Sequence, residues 1–203
     1  MTVSAGVGPV LARSFFRRDP RTVAPELLNK VLVHGERAGR IVEVEAYVGA
    51  EDPGSHAYRG RTSRNATMFG PPGHLYVYFT YGMHWCANAV CGDEGVGVAV
   101  LLRALAPVAG IDAMWPARPA ARRETDLCSG PAKLCAALGI TGDHDGDDLV
   151  AGAAGISVLD DGTAPPADPV QTTRIGLSAG GEHPWRWYVA DNANVSRRNR
   201  VAS

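Results

Sequence analysis

Two glutamates in the segment IVEVEAYVG are spaced so that they can act together on one substrate. The segment alternates like a β-strand, and Ile41, Glu43, Glu45 and Tyr47 therefore share one face, while Val42, Val44 and Ala46 share the other face, toward the core. Side chains two residues apart on a strand lie roughly 6–7 Å apart at the backbone, so their carboxylates repel each other and their pKa values separate. Such a pair can divide into a catalytic carboxylate and a supporting one. A solvent-facing strand edge remains the alternative at this point.

The loop after this strand, GAEDPGSHAYRGRTSRNATMF, combines one histidine with three arginines. His56 lies near its middle, and Arg59, Arg61 and Arg64 follow within a stretch rich in Gly, Ser and Thr. Guanidinium groups match phosphate oxygens in geometry, and the amides of such a loop add further donors. These residues suit contacts with phosphate groups, although a solvated charged loop also explains them.

The segment GHLYVYFTYGMHWCAN is dense in aromatic rings. Tyr76 and Tyr78 share one side of its alternating pattern, and the other side, expected in the core, carries Val77 and Phe79. Tyr81 stands directly before Gly82, where an extended segment is expected to turn. The rings are either ordinary sheet packing or a surface that stacks on flat ligands, and Tyr76 is undecided between the two.

Composition restricts what kind of protein carries these groups. The chain has 203 residues, of which 45% are hydrophobic and 20% charged, and this suits one domain with a substantial core. Its formal net charge of -1 gives no global signal for a polyanionic partner, so nucleic-acid binding would require a local basic patch.

Cysteine usage and hydropathy indicate the compartment. The four cysteines form no C-x-x-C pair and no common zinc pattern, which favours reduced thiols in a cytosolic protein. The N-terminus lacks a basic region and its apolar run stops at Arg13, so no signal peptide is expected. No apolar stretch approaches about 18 residues, so no membrane span is expected either. We therefore expect a cytoplasmic protein without membrane association.

The elements that must position these groups are strands with scattered short helices. Asp19 and Pro20 open a helix that Asn29 is placed to end. Further helices are predicted at 107–114 and 131–138, and strands at 31–34, 40–48, 96–105, 156–159 and 185–189, with a loop at 49–73. Since strands and helices do not alternate regularly, the pattern favours an α+β fold over a doubly wound sheet.

Long ordered blocks of the chain resemble one enzyme family. IVEVEAYVGAEDPGSHAYRGRTSRNATMF, GHLYVYFTYGMHWCANAV, VLLRALAP, LCSGPAKLCAALGI and the late RIGLS, PWRWYV and VSR closely resemble the alkyladenine (3-methyladenine) DNA glycosylases. The resemblance runs from about Leu11 to Arg197. It implies a single α+β domain over residues 1–203, with a curled, mostly antiparallel sheet, surrounding short helices and flexible ends at about 1–10 and 199–203.

The resemblance also implies an activity. Enzymes of this family cut the N-glycosidic bond of damaged purines such as 3-methyladenine, 7-methylguanine, hypoxanthine and ethenoadenine, without a metal or cofactor. The implied partner is double-stranded DNA that contains damaged purines, and we expect a monomer.

Residue roles follow from the resemblance position by position. Glu45 corresponds to the general base that deprotonates the attacking water, and Arg103 helps to hold that water together with the backbone carbonyl near Ile175. Tyr47 is implied to stack on one face of the flipped purine, with His56 and Tyr78 on the other. Asn88 is implied to probe the purine edge and disfavour guanine, and Tyr81 to insert into the DNA stack.

Two further expectations concern charge and the nucleophile. Lys30 and Lys133 are the only lysines and lie in apparent helical segments away from the motif blocks, which favours water over an amine as the nucleophile. Glu43 is then a supporting carboxylate. Because the chain is nearly neutral, DNA affinity is expected to depend on the loop arginines and on the tail arginines Arg197, Arg198 and Arg200.

Two other functions would use some of the same residues. A sugar-directed glycoside hydrolase would use Glu43 and Glu45, but parallel carboxylates on one strand are poorly placed to flank a scissile bond. A non-catalytic nucleic-acid-binding protein would stack bases on its tyrosines, but stacking alone does not need Glu45 together with Arg103.

Overall fold

The computed structural model describes residues 8–80 and 82–196 of the chain. Its strands are β1 Val31–His34, β2 Arg37–Tyr47, β3 Leu75–Thr80, β4 His84–Cys91, β5 Val98–Ala109, β6 Ile156–Leu159, β7 Val170–Thr172 and β8 Arg186–Tyr188. Its α-helices are α1 Arg13–Phe16, α2 Pro20–Leu27, α3 Ile111–Met114 and α4 Pro131–Leu138, and short 3₁₀ turns lie at Gly49–Glu51, Ala66–Phe69, Glu124–Asp126 and Gly142–His144. The α+β class is confirmed.

All eight strands form one curled sheet. The order is β3-β4-β5-β2-β1-β6, and β8 also pairs with β2 and carries β7 along its other edge. Every strand pairing within the described residues is antiparallel. β2 is the centre of this arrangement, since β5 lies along one side of it while β1 and β8 divide the other side.

A bulge in β2 changes the side-chain alternation that the sequence predicts. The register between β2 and β5 shifts between Ile41 and Glu43, so that one extra residue is inserted there. Ile41 consequently packs in the main core together with Val44, whereas Val42 packs against Tyr188 in a small separate cluster. The predicted faces of Ile41 and Val42 are therefore wrong, because a bulge reverses the alternation on one side of it.

The main core lies between one face of the sheet and helices α2 and α4. Val23 and Leu27 of α2, and Leu134 and Leu138 of α4, pack there against the buried residues of β2, β4 and β5. The four cysteines are buried, free thiols, which agrees with the reduced state expected from the sequence. The opposite face carries a smaller cluster around Tyr76, which borders the candidate site.

Local signals placed several element ends correctly. The Asp19 side chain accepts a hydrogen bond from the Arg21 amide at the start of α2, and Asn29 adopts the left-handed conformation at φ 67°. Pro131 opens α4, and Gly139 ends it with φ 74°. These predictions are confirmed.

The helix predicted at 107–114 is wrong over its first half. β5 continues to Ala109, with Pro107 paired to Gly39 at an irregular point of the register. Proline is tolerated in a strand at such a point, because the regular hydrogen bonding is already interrupted. Only Ile111–Met114 is helical, after Gly110 turns the chain at φ 63°. α1 and β7 were not predicted, and neither is longer than four residues.

No helix among residues 8–80 and 82–196 is both long and apolar enough to cross a membrane.

Candidate active site

One face of the sheet borders a cavity of about 220 Å³. Strands β3, β4 and β5 contribute alternate side chains to it, β2 contributes Tyr47, and loop residues together with Pro131 of α4 complete the lining. Six of the predicted site residues line it, namely Tyr47, His56, Tyr78, Asn88, Arg103 and Ile175. The structure therefore brings most of the predicted site together, and the pairing of Leu101 with both Glu45 and Asn88 explains how three strands align there.

Glu45 is fully buried next to this cavity. Its Oε1 atom accepts a hydrogen bond of 2.8 Å from the Ile175 amide, and its Oε2 atom accepts one of 3.0 Å from the Tyr47 hydroxyl. Arg103 Nη1 lies 3.2 Å from Oε2. Burial raises the pKa of Glu45, and although Arg103 and the Ile175 amide oppose this, the pKa remains above its ordinary value.

Glu43 is equally buried but surrounded by more donors. Arg103 Nε and Arg186 Nε each lie 2.8 Å from its Oε1 atom, and the Ser196 amide and hydroxyl also donate to the carboxylate. Burial alone raises the pKa of Glu43, but the two guanidiniums outweigh it and the pKa is lowered. The two carboxylates thus shift in opposite directions, and the alternative of a solvent-facing strand edge is wrong.

Ile175 makes a contact that the resemblance did not imply. The water on the backbone carbonyl near Ile175 stays a prediction, and in the structure the Ile175 amide donates a hydrogen bond to Glu45. A carboxylate that accepts a backbone amide is held in one orientation, so the loop that carries Ile175 takes part in positioning Glu45.

Aromatic rings and one imidazole form the wall of the cavity. The rings of His56 and Tyr78 meet edge to face with centroids 4.5 Å apart, and the Tyr76 hydroxyl lies 3.1 Å from His56 Nδ1. His56 is exposed at the rim of the cavity, but partial desolvation by its neighbours and the charge of Arg64 lower its pKa, which favours the neutral imidazole. Tyr76, which the sequence left undecided, is buried and lines the cavity, and burial raises its pKa to about 12.

Asn88 projects from β4 into the same cavity. It is buried, and its Nδ2 atom donates a 3.0 Å hydrogen bond to the Tyr76 carbonyl of the neighbouring strand. This contact fixes the amide group of Asn88 against β3. Cys86 lines the cavity two residues earlier, and burial raises the pKa of its thiol.

The β3–β4 hairpin extends beyond the rest of the sheet. β4 pairs with β5 only from Asn88 to Cys91, so none of the strands in the described part of the chain lies beside the end of the hairpin. Phe79 is consequently 44% exposed and rests on Trp85, and its predicted place in the core is wrong. Gly82 makes the expected turn with φ 66°, whereas Tyr81 lies outside the described residues.

The three arginines of the loop between β2 and β3 are exposed. Arg59 and Arg61 point from its surface, and Arg64 donates a 3.1 Å hydrogen bond to the Phe79 carbonyl of the hairpin. Their contacts with phosphates stay a prediction. Arg197, Arg198 and Arg200 lie outside the described residues.

Several residues that shape the site were missed. Asn65 is buried and its Nδ2 atom donates to the carbonyls of His56 and Gly60, which closes the arginine loop. Asp52 and Arg174 form a buried ion pair behind Tyr47. Only Asp52 had a readable signal, because an aspartate two positions before a glycine is typical of an Asx-turn.

The two lysines are engaged in other contacts. Lys30 lies between α2 and β1 rather than in a helix, and its Nζ atom is 2.8 Å from Asp160. Lys133 is helical as predicted, but Pro131 of the same helix lines the cavity, so it is closer to the site than expected. Its Nζ atom donates to the Ser129 hydroxyl. Within the described residues, no three His, Cys, Asp or Glu side chains are grouped so as to hold a metal ion.

Comparisons with known proteins identify the family of this chain. A family model described as "Methylpurine-DNA glycosylase (MPG)" matches residues 14–193. A protein of Burkholderia lata named "Putative 3-methyladenine DNA glycosylase" is 59% identical over 190 residues, which cover 93% of this chain and 92% of that protein. Proteins of the same name from Streptomyces avermitilis and Methanoculleus marisnigri are each 50% identical, over 92% and 93% of this chain and 90% and 99% of their own.

These matches cover almost the whole chain and define a class of hydrolases that act on DNA bases. The chain belongs to the methylpurine-DNA glycosylase family. It is therefore a DNA glycosylase of base excision repair, and DNA is its substrate.

Proposed function

We propose that this enzyme is a monofunctional glycosylase that flips alkylated or deaminated purines out of duplex DNA and hydrolyses their N-glycosidic bond. Its proposed substrates are 3-methyladenine, 7-methylguanine, hypoxanthine and ethenoadenine. The observation that carries the proposal is the buried Glu45, held by Arg103 beside an aromatic-walled cavity. The enzyme acts as a monomer, without a metal or cofactor, and leaves an abasic site.

Base flipping requires a cavity that repays its cost. Extrusion of a paired base loses a few kcal/mol of stacking and pairing, and aromatic walls recover roughly 1–3 kcal/mol per stacked base. Tyr47 and Tyr78, with His56, provide such walls. A purine made cationic by alkylation gains further attraction from these electron-rich faces. Damaged bases that pair poorly are also the least costly to extrude.

The chemical step uses a water molecule as the nucleophile. Glu45 accepts a proton from the water as its oxygen attacks C1′ of the sugar, and the bond from C1′ to the purine nitrogen breaks with its electron pair on the purine. A cationic alkylated purine departs as a neutral molecule, whereas hypoxanthine needs protonation of its ring. Arg103, 3.2 Å from Glu45, orients the carboxylate and the water.

Specificity and DNA binding are assigned to the residues around the cavity. Asn88 faces the edge of the flipped purine. It disfavours guanine because guanine carries an amino group at that edge. Tyr81 is the side chain that takes the place of the extruded nucleotide. Arg59, Arg61 and Arg64 bind phosphates on the exposed surface of the loop.

The rival functions have less support from the geometry. Both carboxylates of the pair contact the one Arg103 guanidinium instead of facing each other across a space for a sugar ring. A binding protein without catalysis would not need the buried Glu45 beside Arg103, since stacking of bases on aromatic rings requires no carboxylate.

Release of free base from DNA tests the proposal directly. The protein is incubated with duplex DNA treated with a methylating agent, and free purines are separated and quantified by chromatography. The proposal predicts time-dependent release of 3-methyladenine and an abasic site without strand cleavage. DNA binding without release of any base would refute it, and strand cleavage coupled to release would refute the water mechanism. Duplexes with single defined lesions then rank the substrates.

A further inference from the structure

A buried ion pair lies behind the cavity wall, outside the groups that touch the substrate in the proposed mechanism. Arg174 binds Asp52 through both arms of its guanidinium, with distances of 2.6 Å and 2.7 Å. Both side chains are fully buried. Neither residue lines the cavity, so the pair does not contact the flipped base.

The pair connects three segments that form the site. Asp52 accepts hydrogen bonds from the amides of Val48 and Gly54, which fold the loop that leads to His56. Arg174 donates to the carbonyl of Ala46, at the end of β2, and to the carbonyl of Gly180. The loop after β7 is thereby fixed to the strand that carries Glu45.

Arg174 is connected to Tyr47 through its side chain and to Glu45 through the backbone of the next residue. Its guanidinium carbon lies 4.7 Å from the centroid of the Tyr47 ring and 5.1 Å from that of Trp185. The next residue, Ile175, donates its amide to Glu45 Oε1 at 2.8 Å. Because the peptide unit between the two residues is planar and rigid, a shift of Arg174 moves this amide directly.

We infer that Arg174, locked by Asp52, is a positioning residue that holds the Ile175 amide on Glu45 and supports Tyr47 from behind. The inference deepens the proposed function, and its catalytic consequence rests on that function. The placement of the Ile175 amide, however, can be measured without any activity.

The direction of the effect follows from the surroundings of Glu45. The charged and titratable groups that face it are Arg103, Glu43, Tyr47, Tyr78 and Cys86. The Ile175 amide favours the ionised carboxylate, so its displacement raises the pKa of Glu45 further. Since the general base must be ionised, the acid limb of the pH–rate profile then moves to higher pH.

Substitution R174K tests this inference. Lysine keeps a positive charge beside Asp52 but lacks the second arm and the flat face that rests on Tyr47. R40K is the matched control, because Arg40 also forms a two-armed pair, with Asp161, but does not line the cavity. We expect R174K to lower single-turnover base release on the order of 10-fold to 100-fold, as misplacement of catalytic groups does. R40K is expected to release base at the wild-type rate.

Two readouts separate positioning from a loss of folding. R174K should shift the acid limb of the pH–rate profile to higher pH and speed hydrogen exchange at the Ile175 amide, whereas R40K should change neither. If R174K does not fold, the double variant D52L/R174M replaces the buried pair with apolar side chains, a change that proteins often tolerate, and the same two shifts are expected.

The outcomes distinguish this inference from the proposed function. A folded R174K with a wild-type acid limb and unchanged exchange at Ile175 would overturn the inference, even if wild-type protein releases base. If the wild-type protein releases no base, the proposed function fails, while exchange at Ile175 still decides whether Arg174 holds that amide.

Discussion

Substitution of Glu43 by glutamine removes one charge from the buried cluster without changing its shape. With Glu45 ionised, the four side chains Glu43, Glu45, Arg103 and Arg186 carry two negative and two positive charges. E43Q leaves one positive charge in excess. The Ser196 amide now donates a 2.7 Å hydrogen bond to a charged carboxylate oxygen of Glu43. In E43Q that oxygen is replaced by a neutral amide oxygen, which is a weaker acceptor, or by an NH₂ group, which cannot accept.

The expected loss of stability follows from burial. All four side chains are at most 7% exposed, so water cannot replace the missing charge. Removing one partner from a buried ion pair costs about 3–5 kcal/mol in the free energy of unfolding. A domain of this size has roughly 5–15 kcal/mol in total, so the variant is expected to fold.

The pH dependence of this loss has a defined sign. Because the pKa of Glu43 is lowered in the folded state, its contribution to stability is complete above the unfolded pKa of about 4.3. The difference between wild type and E43Q should therefore shrink as the pH falls below that value. Catalysis responds in another way, since the charge of Glu43 raises the pKa of Glu45. In E43Q the acid limb of base release should move to lower pH.

Denaturant unfolding and pH–rate profiles of single-turnover base release measure both effects. E26Q is the matched control, because Glu26 pairs with Arg18 where the side chains are 42% and 37% exposed. Exposed pairs of this kind contribute about 0–1 kcal/mol. E43Q should be clearly less stable than E26Q. Equal stability of the two variants, or an acid limb in E43Q that stays in place or moves to higher pH, would refute these expectations.

Two further predictions concern the cavity wall and the backbone. Y78A should weaken binding of lesion-containing duplex by about 1–3 kcal/mol through lost stacking, measured by fluorescence anisotropy. An equal loss with undamaged duplex would show that Tyr78 does not contact the flipped base. N29V should lower the free energy of unfolding by roughly 1–2 kcal/mol or more, because a β-branched residue resists the left-handed conformation at φ 67°. N29G is its control in denaturant unfolding, and similar losses in both variants would instead implicate the hydrogen bond from Asn29 to Ala164.

The sequence predicted those parts of the fold that local signals determine. Strands 31–34 and 156–159 and helix 131–138 have the predicted limits, because proline, glycine and capping residues mark their ends. The bulge at Val42 and the strand position of Pro107 were not predictable, since both depend on the register between β2 and β5. That register is set by tertiary packing and not by neighbours in the sequence.

The candidate site, like the fold, could be predicted from the sequence only in part. Strand alternation correctly placed Glu43, Glu45 and Tyr47 on one face, and the resemblance pointed to residues that line one cavity. The partners that tune this site come from distant segments. Arg174 is 122 residues from Asp52, and Ser196 is 153 residues from Glu43. No local pattern relates such residues, so the supporting network became visible only in the folded chain.

Base release in the proposed mechanism depends above all on the charge of Glu45, and the substitution E45Q removes only that charge. Glutamine has nearly the same shape and can still accept the Ile175 amide, but it cannot take a proton from water. The rate of single-turnover release of 3-methyladenine should fall by about 100-fold to 10,000-fold. The affinity for the lesion-containing duplex, measured on the same variant, should be retained. Release by E45Q at the wild-type rate would contradict the account.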